Sequence, residues 1–288
     1  MTQDPVTKTK IARSSSFLFV PANRSDRIDK AVAVGPDYVI ADLEDAVAPA
    51  EKNAARQSLR LWLNAKPARE ILVRPNGVAT PWHGDDLTLC RHPGVAGVVL
   101  PKADSVRSIE ETHFFTEKPV LPIIETARAV VDVTSLAKAA GVCRLLFGKL
   151  DLAVEFSLPP DESDAEELVF LPYRAAMVLA SALGGLPAPV DGVFTAIHDE
   201  DGLSRYASRA RKHGFGAMLL IHPVQVAVVR RVFAPSSEEL EWARKILDAV
   251  KLSGYGAIRV DGRMVDAPVI ARARRILEST HPDRQPDP

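Results

Sequence analysis

The sequence predicts an α/β protein of the (β/α)8 TIM-barrel class with a small C-terminal appendage. Eight short runs rich in Val, Ile, Leu and Phe recur along the chain, and each is nearly continuous in apolar residues rather than alternating. Strands that are covered on both faces of a parallel sheet have this pattern. The length of 288 residues also fits one closed barrel. The eight runs are residues 17–21, 38–45, 71–76, 97–102, 120–125, 144–151, 191–195 and 217–222.

The segments between the runs are long enough for a crossover helix and show helical periodicity. In the segment 51–63, the apolar residues Ala55, Leu59, Trp62 and Leu63 form one stripe. The polar residues that the same helix turns away from the core are Arg56, Arg60 and Asn64. Alternating strand and helix units favour the barrel. A doubly wound sheet is disfavoured because no Gly-rich dinucleotide motif follows the first run.

The segment after the eighth run differs from a barrel unit. A helix begins near Ser236 or Ser237, with Glu239 as the partner in a capping box, and we expect it to be the last helix of the barrel. Two extended pieces follow, joined by an Asp-Gly dipeptide that favours a two-residue hairpin turn. A short helix is predicted at about 267–277.

These patterns divide the chain into a barrel domain at residues 14–252 and a C-terminal segment at residues 253–288. The segment consists of the hairpin, the short helix and a Pro-rich end that is expected to be frayed. We expect this segment to act as a lid on the barrel mouth of its own or of a neighbouring subunit.

Composition excludes several classes of function. The 36 basic and 37 acidic residues give a formal net charge of −1, so the chain has no overall field for steering onto nucleic acid or anionic membranes. No apolar run approaches the roughly 20 residues that span a bilayer, and the polar beginning lacks the apolar core of a signal peptide. Cys90 and Cys143 are far apart and lack metal-ligand spacing. We therefore expect a soluble cytoplasmic protein without nucleic-acid or membrane partners.

Charged and polar residues gather where the predicted strands end. In a barrel, the loops after the strands converge on one mouth, which is where catalytic residues lie. Buried charges are costly unless they are paired or bind a metal. The residues concerned are Asp42, Glu44, Asp45, Arg74, Asn76, Lys102, Glu125, Asp151 and His222. The pattern therefore predicts a functional site at the barrel mouth.

Glu125 and Asp151 end the fifth and sixth predicted strands, which are neighbours in a barrel. Two carboxylates at adjacent strand ends can ligate one hard cation. Mg²⁺ is typically held by one or two carboxylates, with water and substrate oxygens in its other positions. The alternative is that each carboxylate forms a structural ion pair with a nearby Arg or Lys.

Arg74 is the candidate clamp for an anionic substrate, since a planar guanidinium binds a carboxylate through two hydrogen bonds. A salt bridge to Glu44 or Asp45 is equally compatible with the spacing. Asp42 adds a third carboxylate at this strand end, so some of these acids must face a cation or metal-bound water. Among so many acids we expect Lys102 to act as a counter-ion rather than as a Schiff-base nucleophile, which needs an apolar pocket.

Ordered sequence blocks over about residues 14–278 resemble the citrate lyase β-subunit-like group of the HpcH/HpaI aldolase superfamily. The blocks include LEDAV, RPN, LPK, IET, FGKLD and IHP, in that order. The resemblance implies a barrel fold. It also implies Mg²⁺-dependent cleavage or condensation of a carbon–carbon bond in acyl-CoA thioesters such as citryl-, malyl- or citramalyl-CoA. The products of cleavage would be a 2-oxo acid and acetyl-CoA.

The resemblance assigns a role to each matching residue. Glu125 and Asp151 become the Mg²⁺ ligands, Glu125 also faces the substrate, and Arg74 becomes the catalytic group that binds the 2-oxo acid. Asp266, in the block GRMVD, matches an acid that related lyases supply to a neighbouring subunit's site, where it handles the proton on the thioester's methyl carbon. The implied supporting residues are Asp42, Glu44, Asp45 and Lys102 near the metal and Arg74, and Arg24 and Lys30 on the CoA side. The family implies a homo-oligomer, either a trimer or a hexamer.

Three alternatives stay open. They are a CoA-independent class II aldolase that acts on free 2-oxo acids, a lyase subunit that acts on a thioester carried by an acyl carrier protein, and a non-catalytic binding protein. The sequence also departs from the family at Lys149, two residues before Asp151, where relatives often carry an acidic residue or Thr. A cation at this position would lower metal affinity or change the substrate.

Overall fold

The computed structural model describes residues 5–66, 69–158, 164–253 and 258–278. Eight parallel strands close into a barrel in chain order, and β1 pairs with β8 in the register Phe17 with Leu219. The strands are β1 Ser16–Pro21, β2 Tyr38–Asp42, β3 Ile71–Arg74, β4 Val95–Leu100, β5 Val120–Ile124, β6 Leu146–Phe147, β7 Val190–Asp191 and β8 Ala217–Leu220. Each strand overlaps the apolar run that predicts it. The predicted (β/α)8 barrel is therefore confirmed.

Helices alternate with the strands and continue after them. They are α1 Pro5–Arg13, α2 Ser25–Val34, α3 Lys52–Ala65, α4 His83–Cys90, α5 Val106–Thr116, α6 Ala127–Leu136, α7 Lys149–Glu155, α8 Asp164–Leu183, α9 Glu200–Lys212, α10 Gln225–Phe233, α11 Ser237–Ser253 and α12 Ala267–Glu278. The sequence patterns do not predict α1, which is mostly polar. Its Ile11 is nevertheless fully buried in the core cluster that contains Phe17, Ile40 and Leu72. One apolar residue thus anchors this helix to the barrel interior.

Helix α3 confirms the predicted apolar stripe, but one of its polar residues does not face away from the core. Ala55, Leu59, Trp62 and Leu63 are buried as expected. Arg56 was expected to face solvent, and it is only 9% exposed. The prediction was wrong because helical periodicity places a polar residue on the outer face and does not show whether that residue has a buried partner. Asp86 of α4 is such a partner for Arg56.

The C-terminal part of the chain forms a compact unit of its own. Contacts divide the chain into Met1–Arg230 and Arg231–Pro288, whereas the sequence patterns predict the boundary at residue 252. Helix α11, expected to be the last barrel helix, packs on α12 through Ala243, Ile246 and Ala273. Helix α10 is the helix that follows β8.

The local signals of this C-terminal unit are confirmed. The N–H of Ser236 donates to Glu239, and the N–H of Glu239 donates to the Ser236 hydroxyl, which is a capping box. Strands β9 (Ile258–Val260) and β10 (Arg263–Val265) form the antiparallel hairpin. Its turn residues Asp261 and Gly262 have φ values of 50° and 76°, because a type I′ turn requires positive φ at both positions. The predicted frayed end, residues 281–288, lies outside the described residues.

The structure also describes the two cysteines and the helices that a membrane span would require. Cys90 and Cys143 are both buried and carry free thiols. None of the described helices combines the length and the hydrophobicity that crossing a bilayer requires.

Candidate active site

The carboxyl ends of the barrel strands and the loops after them line a cavity of about 430 Å³. Its wall combines apolar residues such as Phe19, Ile123 and Leu219 with charged ones. The charged lining residues are Arg27, Asp42, Asp45, Arg74, Glu125, Lys149 and Asp151. Five of these seven were predicted as site residues, and Lys149 was singled out as a departure from the family. The described structure thus brings most of the predicted residues to one mouth.

Arg74 is the last residue of β3, and carboxylates at the end of β2 hold it in place. Its Nε and Nη2 atoms donate to the two oxygens of Asp42, each at 2.7 Å. Its Nη1 atom lies 3.2 Å from Glu44 and 3.4 Å from Asp45, so the predicted salt bridges are present. Burial alone would lower the pKa of Arg74, but Asp42 and the other two carboxylates outweigh burial and raise it. The guanidinium is therefore permanently charged, and it lies 4.7 Å from the centroid of the Phe19 ring.

Asp42 also shapes the loop that follows β2. Its two carboxylate oxygens accept the backbone N–H groups of Glu44 and Ala46, at 2.9 and 3.1 Å. The side chain is buried, and these two bonds together with the two from Arg74 satisfy both of its oxygens. One carboxylate thus fixes the orientation of Arg74 and the course of the loop that carries Glu44 and Asp45.

Lys102 links three carboxylates at the mouth. Its backbone N–H donates to Oε1 of Glu125 at 2.6 Å, and its Nζ donates to Oε1 of Glu44 at 2.8 Å. Nζ also lies 3.8 Å from Asp151. Burial alone would lower the pKa of Lys102, but the hydrogen bond to Glu44 and the surrounding acids raise it. Because the ammonium stays protonated, these contacts suit the predicted counter-ion and not a Schiff-base nucleophile.

Glu125 follows β5 and is only 2% exposed. Burial, followed by the nearby negative charge of Asp151, raises the pKa of the Glu125 carboxyl to about 8. Gly148 makes room for this side chain. A Cβ atom on Gly148 would lie 2.3 Å from the Glu125 Cβ and 2.6 Å from its Oε2, which real Cβ contacts do not allow. The side chain of Glu125 can therefore occupy this position only because residue 148 is glycine.

Asp151 does not end the sixth strand, and that prediction was wrong. Strand β6 stops at Phe147, and Asp151 lies in the first turn of α7 with 41% of its side chain exposed. The apolar residues of this first turn, Leu150 and Leu152, extend the apolar run of the strand, so the sequence pattern shows no break. An acidic residue in a first turn is favourable because it faces the positive end of the helix dipole.

Lys149 is the first residue of α7 and belongs to the same turn as Asp151. It is 6% exposed, and its Nζ lies 5.0 Å from the centroid of the Tyr206 ring of α9. The cation two residues before Asp151 lines the cavity and is packed over the aromatic ring of Tyr206.

The two basic residues expected on the CoA side are both exposed, Arg24 just before α2 and Lys30 in the middle of it. Arg24 is paired with Asp26 at 2.9 Å, and neither Arg24 nor Lys30 is among the residues that line the cavity. Arg27 does line it, and sequence reasoning missed this residue. The available signal was its position in the same basic stretch, three residues after Arg24.

Asp266 lies in the C-terminal unit, just before α12. Its side chain is exposed and accepts the N–H of Val269 at 3.4 Å, and its carbonyl accepts the N–H of Ile270 at 3.0 Å. These are the contacts of a helix N-cap. Asp266 thus has a structural role within its own unit besides the catalytic role that the resemblance implies.

Glu125 and Asp151 provide hard oxygen donors at one place in the cavity. No group of three or more His, Cys, Asp or Glu side chains that could hold a metal occurs in the part of the chain that the structure describes. A cation at this place would therefore have two carboxylates and would take its other ligands from water or substrate oxygens, as Mg²⁺ commonly does.

Comparison with known proteins identifies the family of this chain. The family model described as HpcH/HpaI aldolase/citrate lyase matches residues 15–223. A citrate lyase subunit beta-like protein of Mycobacterium tuberculosis is 36% identical over 268 residues, which cover 92% of this chain and 95% of that protein. A (3S)-malyl-CoA thioesterase of Cereibacter sphaeroides is 32% identical over 268 residues, which cover 91% of this chain and 93% of that protein.

A solved structure supports the same assignment. The CitE protein of M. tuberculosis, crystallised in complex with magnesium, acetoacetate and coenzyme A, has a TM-score of 0.79 at 35% sequence identity. The similarity covers 92% of this chain and 97% of that one. The resemblance seen in the sequence blocks is confirmed, and the chain belongs to the HpcH/HpaI aldolase/citrate lyase family.

Proposed function

We propose that this protein is a Mg²⁺-dependent carbon–carbon lyase that acts on a 3-hydroxyacyl-CoA thioester of the citryl-, malyl- or citramalyl-CoA type. Cleavage gives a 2-oxo acid and acetyl-CoA, and the reverse reaction forms the thioester. The observation that carries the proposal is the buried Glu125 beside Asp151 in a cavity that also contains Arg74. The M. tuberculosis CitE structure, with magnesium, acetoacetate and coenzyme A, supports it by analogy.

The residues present fit a magnesium ion. Both candidate ligands are carboxylates, which are the donors that Mg²⁺ prefers. Glu125 is buried next to another acid, an arrangement that disfavours its charged form unless a cation lies nearby. When bound, Mg²⁺ would polarise the 2-oxo carbonyl and stabilise negative charge on its oxygen.

Arg74 would bind the carboxylate of the 2-oxo acid. Asp42 occupies two of its five N–H donors, which leaves three for Glu44, Asp45 and the substrate. The bidentate contact with Asp42 keeps the guanidinium in one orientation, so little conformational freedom is lost when substrate binds. Asp42, Glu44 and Asp45 therefore support Arg74 in this orientation.

Cleavage requires two proton movements. A base removes the proton of the 3-hydroxyl group, the carbon–carbon bond breaks, and its electron pair passes to the thioester as an enolate. An acid then protonates the methylene carbon of the enolate to give acetyl-CoA. Asp266 is the residue that we propose for this acid, and Arg24 and Lys30 are those that we propose for the CoA side.

Thioester hydrolysis is the second candidate reaction. It is favoured by the (3S)-malyl-CoA thioesterase of C. sphaeroides, which is 32% identical to this chain. In this case the products would be free coenzyme A and a hydroxy acid.

An acyl-CoA panel assayed with Mg²⁺ separates these reactions. The expected result is a 2-oxo acid, measured as its phenylhydrazone, together with acetyl-CoA and no free thiol. Free thiol without a 2-oxo acid would indicate hydrolysis. Turnover of pyruvate with an aldehyde, and of no thioester, would instead indicate the CoA-independent class II aldolase. Activity only with a thioester on an acyl carrier protein would indicate a lyase subunit.

The metal assignment is tested with matched variants. Glu125→Gln and Asp151→Asn should each abolish the Mg²⁺-dependent activity, because each removes one of the two proposed ligands. Glu111→Gln is the control, since Glu111 is 62% exposed and pairs only with Arg107 in the contacts described. Full activity in EDTA would refute the requirement for the metal.

A further inference from the structure

Lys52, the first residue of α3, is a buried cation whose ammonium reaches back to the loop after β2. The residue is 5% exposed. Its Nζ donates to two successive backbone carbonyls, those of Leu43 at 2.7 Å and of Glu44 at 2.6 Å. It also lies 5.4 Å from the centroid of the Trp82 ring. One side chain thus joins the start of a helix to the loop at the barrel mouth.

A cation is an expensive choice for this position. Burial lowers the pKa of Lys52 and works against its charged form. An apolar residue at the start of α3 would pack without this desolvation cost. In the described structure, the hydrogen bonds of the ammonium go to these two carbonyls of the loop after β2, and the nearby carboxylates of Asp42, Glu44, Asp86 and Asp45 oppose the lowering of its pKa. The charge is therefore explained by this loop and the acids around it rather than by the packing of the core.

The backbone that Lys52 holds carries Glu44, which contacts two cations of the site, Arg74 and Lys102. Glu44 contacts Arg74 at 3.2 Å through Oε2 and Lys102 at 2.8 Å through Oε1. The carbonyl of Glu44 is one of the two acceptors of Lys52. A shift of this backbone would move the Glu44 carboxylate relative to Arg74 and Lys102 together.

Arg56, one turn further along α3, makes a parallel connection to the next loop. Its Nε donates to Asp86 at 2.7 Å, and the other oxygen of Asp86 accepts the backbone N–H of Asn76 at 2.9 Å and the Asn76 side chain. Asn76 follows Arg74 by two residues. The first turns of α3 thus fix the loops on both sides of Arg74, one through Lys52 and one through Arg56.

We propose that Lys52 is a positioning residue of the lyase site: it holds the β2–α3 loop so that Glu44 keeps Arg74 and Lys102 in their reactive arrangement. This inference rests on the proposed function for its kinetic consequence, but its structural consequence can be measured without any turnover. The two readouts therefore separate a failure of this inference from a failure of the proposed function.

The structural test is hydrogen–deuterium exchange of the full chain with Lys52→Met. Four backbone N–H groups of the loop are hydrogen-bonded and act as reporters: Leu43 to Arg74 O, Glu44 and Ala46 to Asp42, and Val47 to Glu44 O. We expect these reporters to exchange about tenfold faster in the variant, since local opening is governed by a few local contacts. Lys66→Met is the matched control, because Lys66 lies at the end of the same helix in an exposed pair with Asp29.

The kinetic test compares the same variants in the thioester assay. A misplacement of about 1 Å at a reacting centre costs on the order of 100-fold, so kcat of Lys52→Met should fall about 10–100-fold with a smaller change in KM. Lys52→Arg, which keeps the charge and the donors, should recover most of the loss. Lys52→Gln replaces Lys52→Met if the latter does not fold, with the same result expected at the reporters.

The outcomes are distinct. Unchanged exchange at the reporters, or an equal increase throughout the barrel, overturns the positioning role. Unchanged kcat in Lys52→Met with an active wild type overturns it as well. If the wild type cleaves no thioester, the proposed function fails, and faster exchange confined to the reporters still supports Lys52 as the residue that holds this loop.

Discussion

Replacement of Gly148 by Ala tests the proposed metal site through geometry alone. The added Cβ would lie 2.3 Å from the Glu125 Cβ, 2.6 Å from its Oε2 and 2.8 Å from Ile123 Cγ2. Carbon atoms in good contact are about 3.5–4.0 Å apart, so the two Cβ atoms would have to separate by about 1.5 Å, and because each Cβ is fixed to its own backbone, the backbone of residue 148 or of Glu125 would have to shift. Neither backbone can yield easily, because the N–H of Gly148 donates to the carbonyl of Ile124 at 3.0 Å within the sheet.

The cost of this substitution has two parts. Overpacking a core position typically destabilises a protein by about 1–3 kcal/mol, so the free energy of unfolding should fall by this amount. The Glu125 carboxylate occupies part of the space that the added Cβ would need, so it should also leave its position. Mg²⁺ requires near-ideal octahedral geometry, and displacement of a group that positions its ligands typically lowers affinity about 10–100-fold. In the presence of Mg²⁺, both effects lower the free energy of unfolding, because a metal that binds the folded state less tightly also stabilises it less.

The assay is a calorimetric titration with Mg²⁺ beside a urea denaturation of the same protein. Gly77→Ala is the matched control: Gly77 lies in the loop after β3, and an added Cβ there would have no atom within 4 Å. The control should match the wild type in both measurements. If Gly148→Ala is destabilised but binds Mg²⁺ with wild-type affinity, Glu125 is not a ligand. If it is neither destabilised nor impaired, the packing argument is refuted.

Three further predictions concern the residues around the site and the core. Arg56→Met should lower the free energy of unfolding by about 3–5 kcal/mol in urea, because it leaves the fully buried Asp86 without its cation; Arg107→Met, in an exposed pair with Glu111, should change it by less than about 1 kcal/mol. Asp42→Asn should weaken pyruvate binding in the presence of Mg²⁺ about tenfold, since Arg74 loses charge-assisted hydrogen bonds; an unchanged Kd by calorimetry would contradict the role of Arg74. Burial raises the pKa of the Cys143 thiol to about 12 and that of Cys90 further, so a disulfide reagent at pH 8 should label neither thiol until urea is added.

The fold and the strand ends could be predicted because they depend on local sequence. A buried parallel strand is a short apolar run whatever its partners are, and each of the eight runs overlaps a strand. Charges at the ends of such runs must meet at the mouth of a closed barrel, and Asp42, Arg74 and Glu125 do so. The hairpin was predictable for the same reason, since Asp-Gly determines its turn by backbone conformation alone.

What could not be predicted depends on pairs of residues far apart in the chain. Arg56 is buried only because Asp86, 30 residues later, lies against it. Lys52 is buried with its ammonium on two carbonyls of the loop after β2 and beside the distant Trp82 ring, and nothing in the local pattern distinguishes it from a solvent-exposed lysine. Asp151 was misplaced for a different reason: the first turn of α7 continues the apolar composition of β6, so composition alone does not reveal the change from strand to helix.

The distribution of charge in the cavity links the proposed metal to the proposed substrate. Among the residues that line the cavity in the described structure, three are basic and four are acidic. Asp42 and Asp45 both contact Arg74, so their charges are directed at the guanidinium. The remaining two lining acids, Glu125 and Asp151, are the proposed metal ligands, and with all seven groups ionised a divalent cation there would change the formal charge of the lining from −1 to +1. An anionic 2-oxo acid would then bind to a cavity of opposite sign, and by linkage its binding would strengthen that of the metal equally. The near-neutral composition of the whole chain conceals this coupling, because it arises from which charges the barrel brings together.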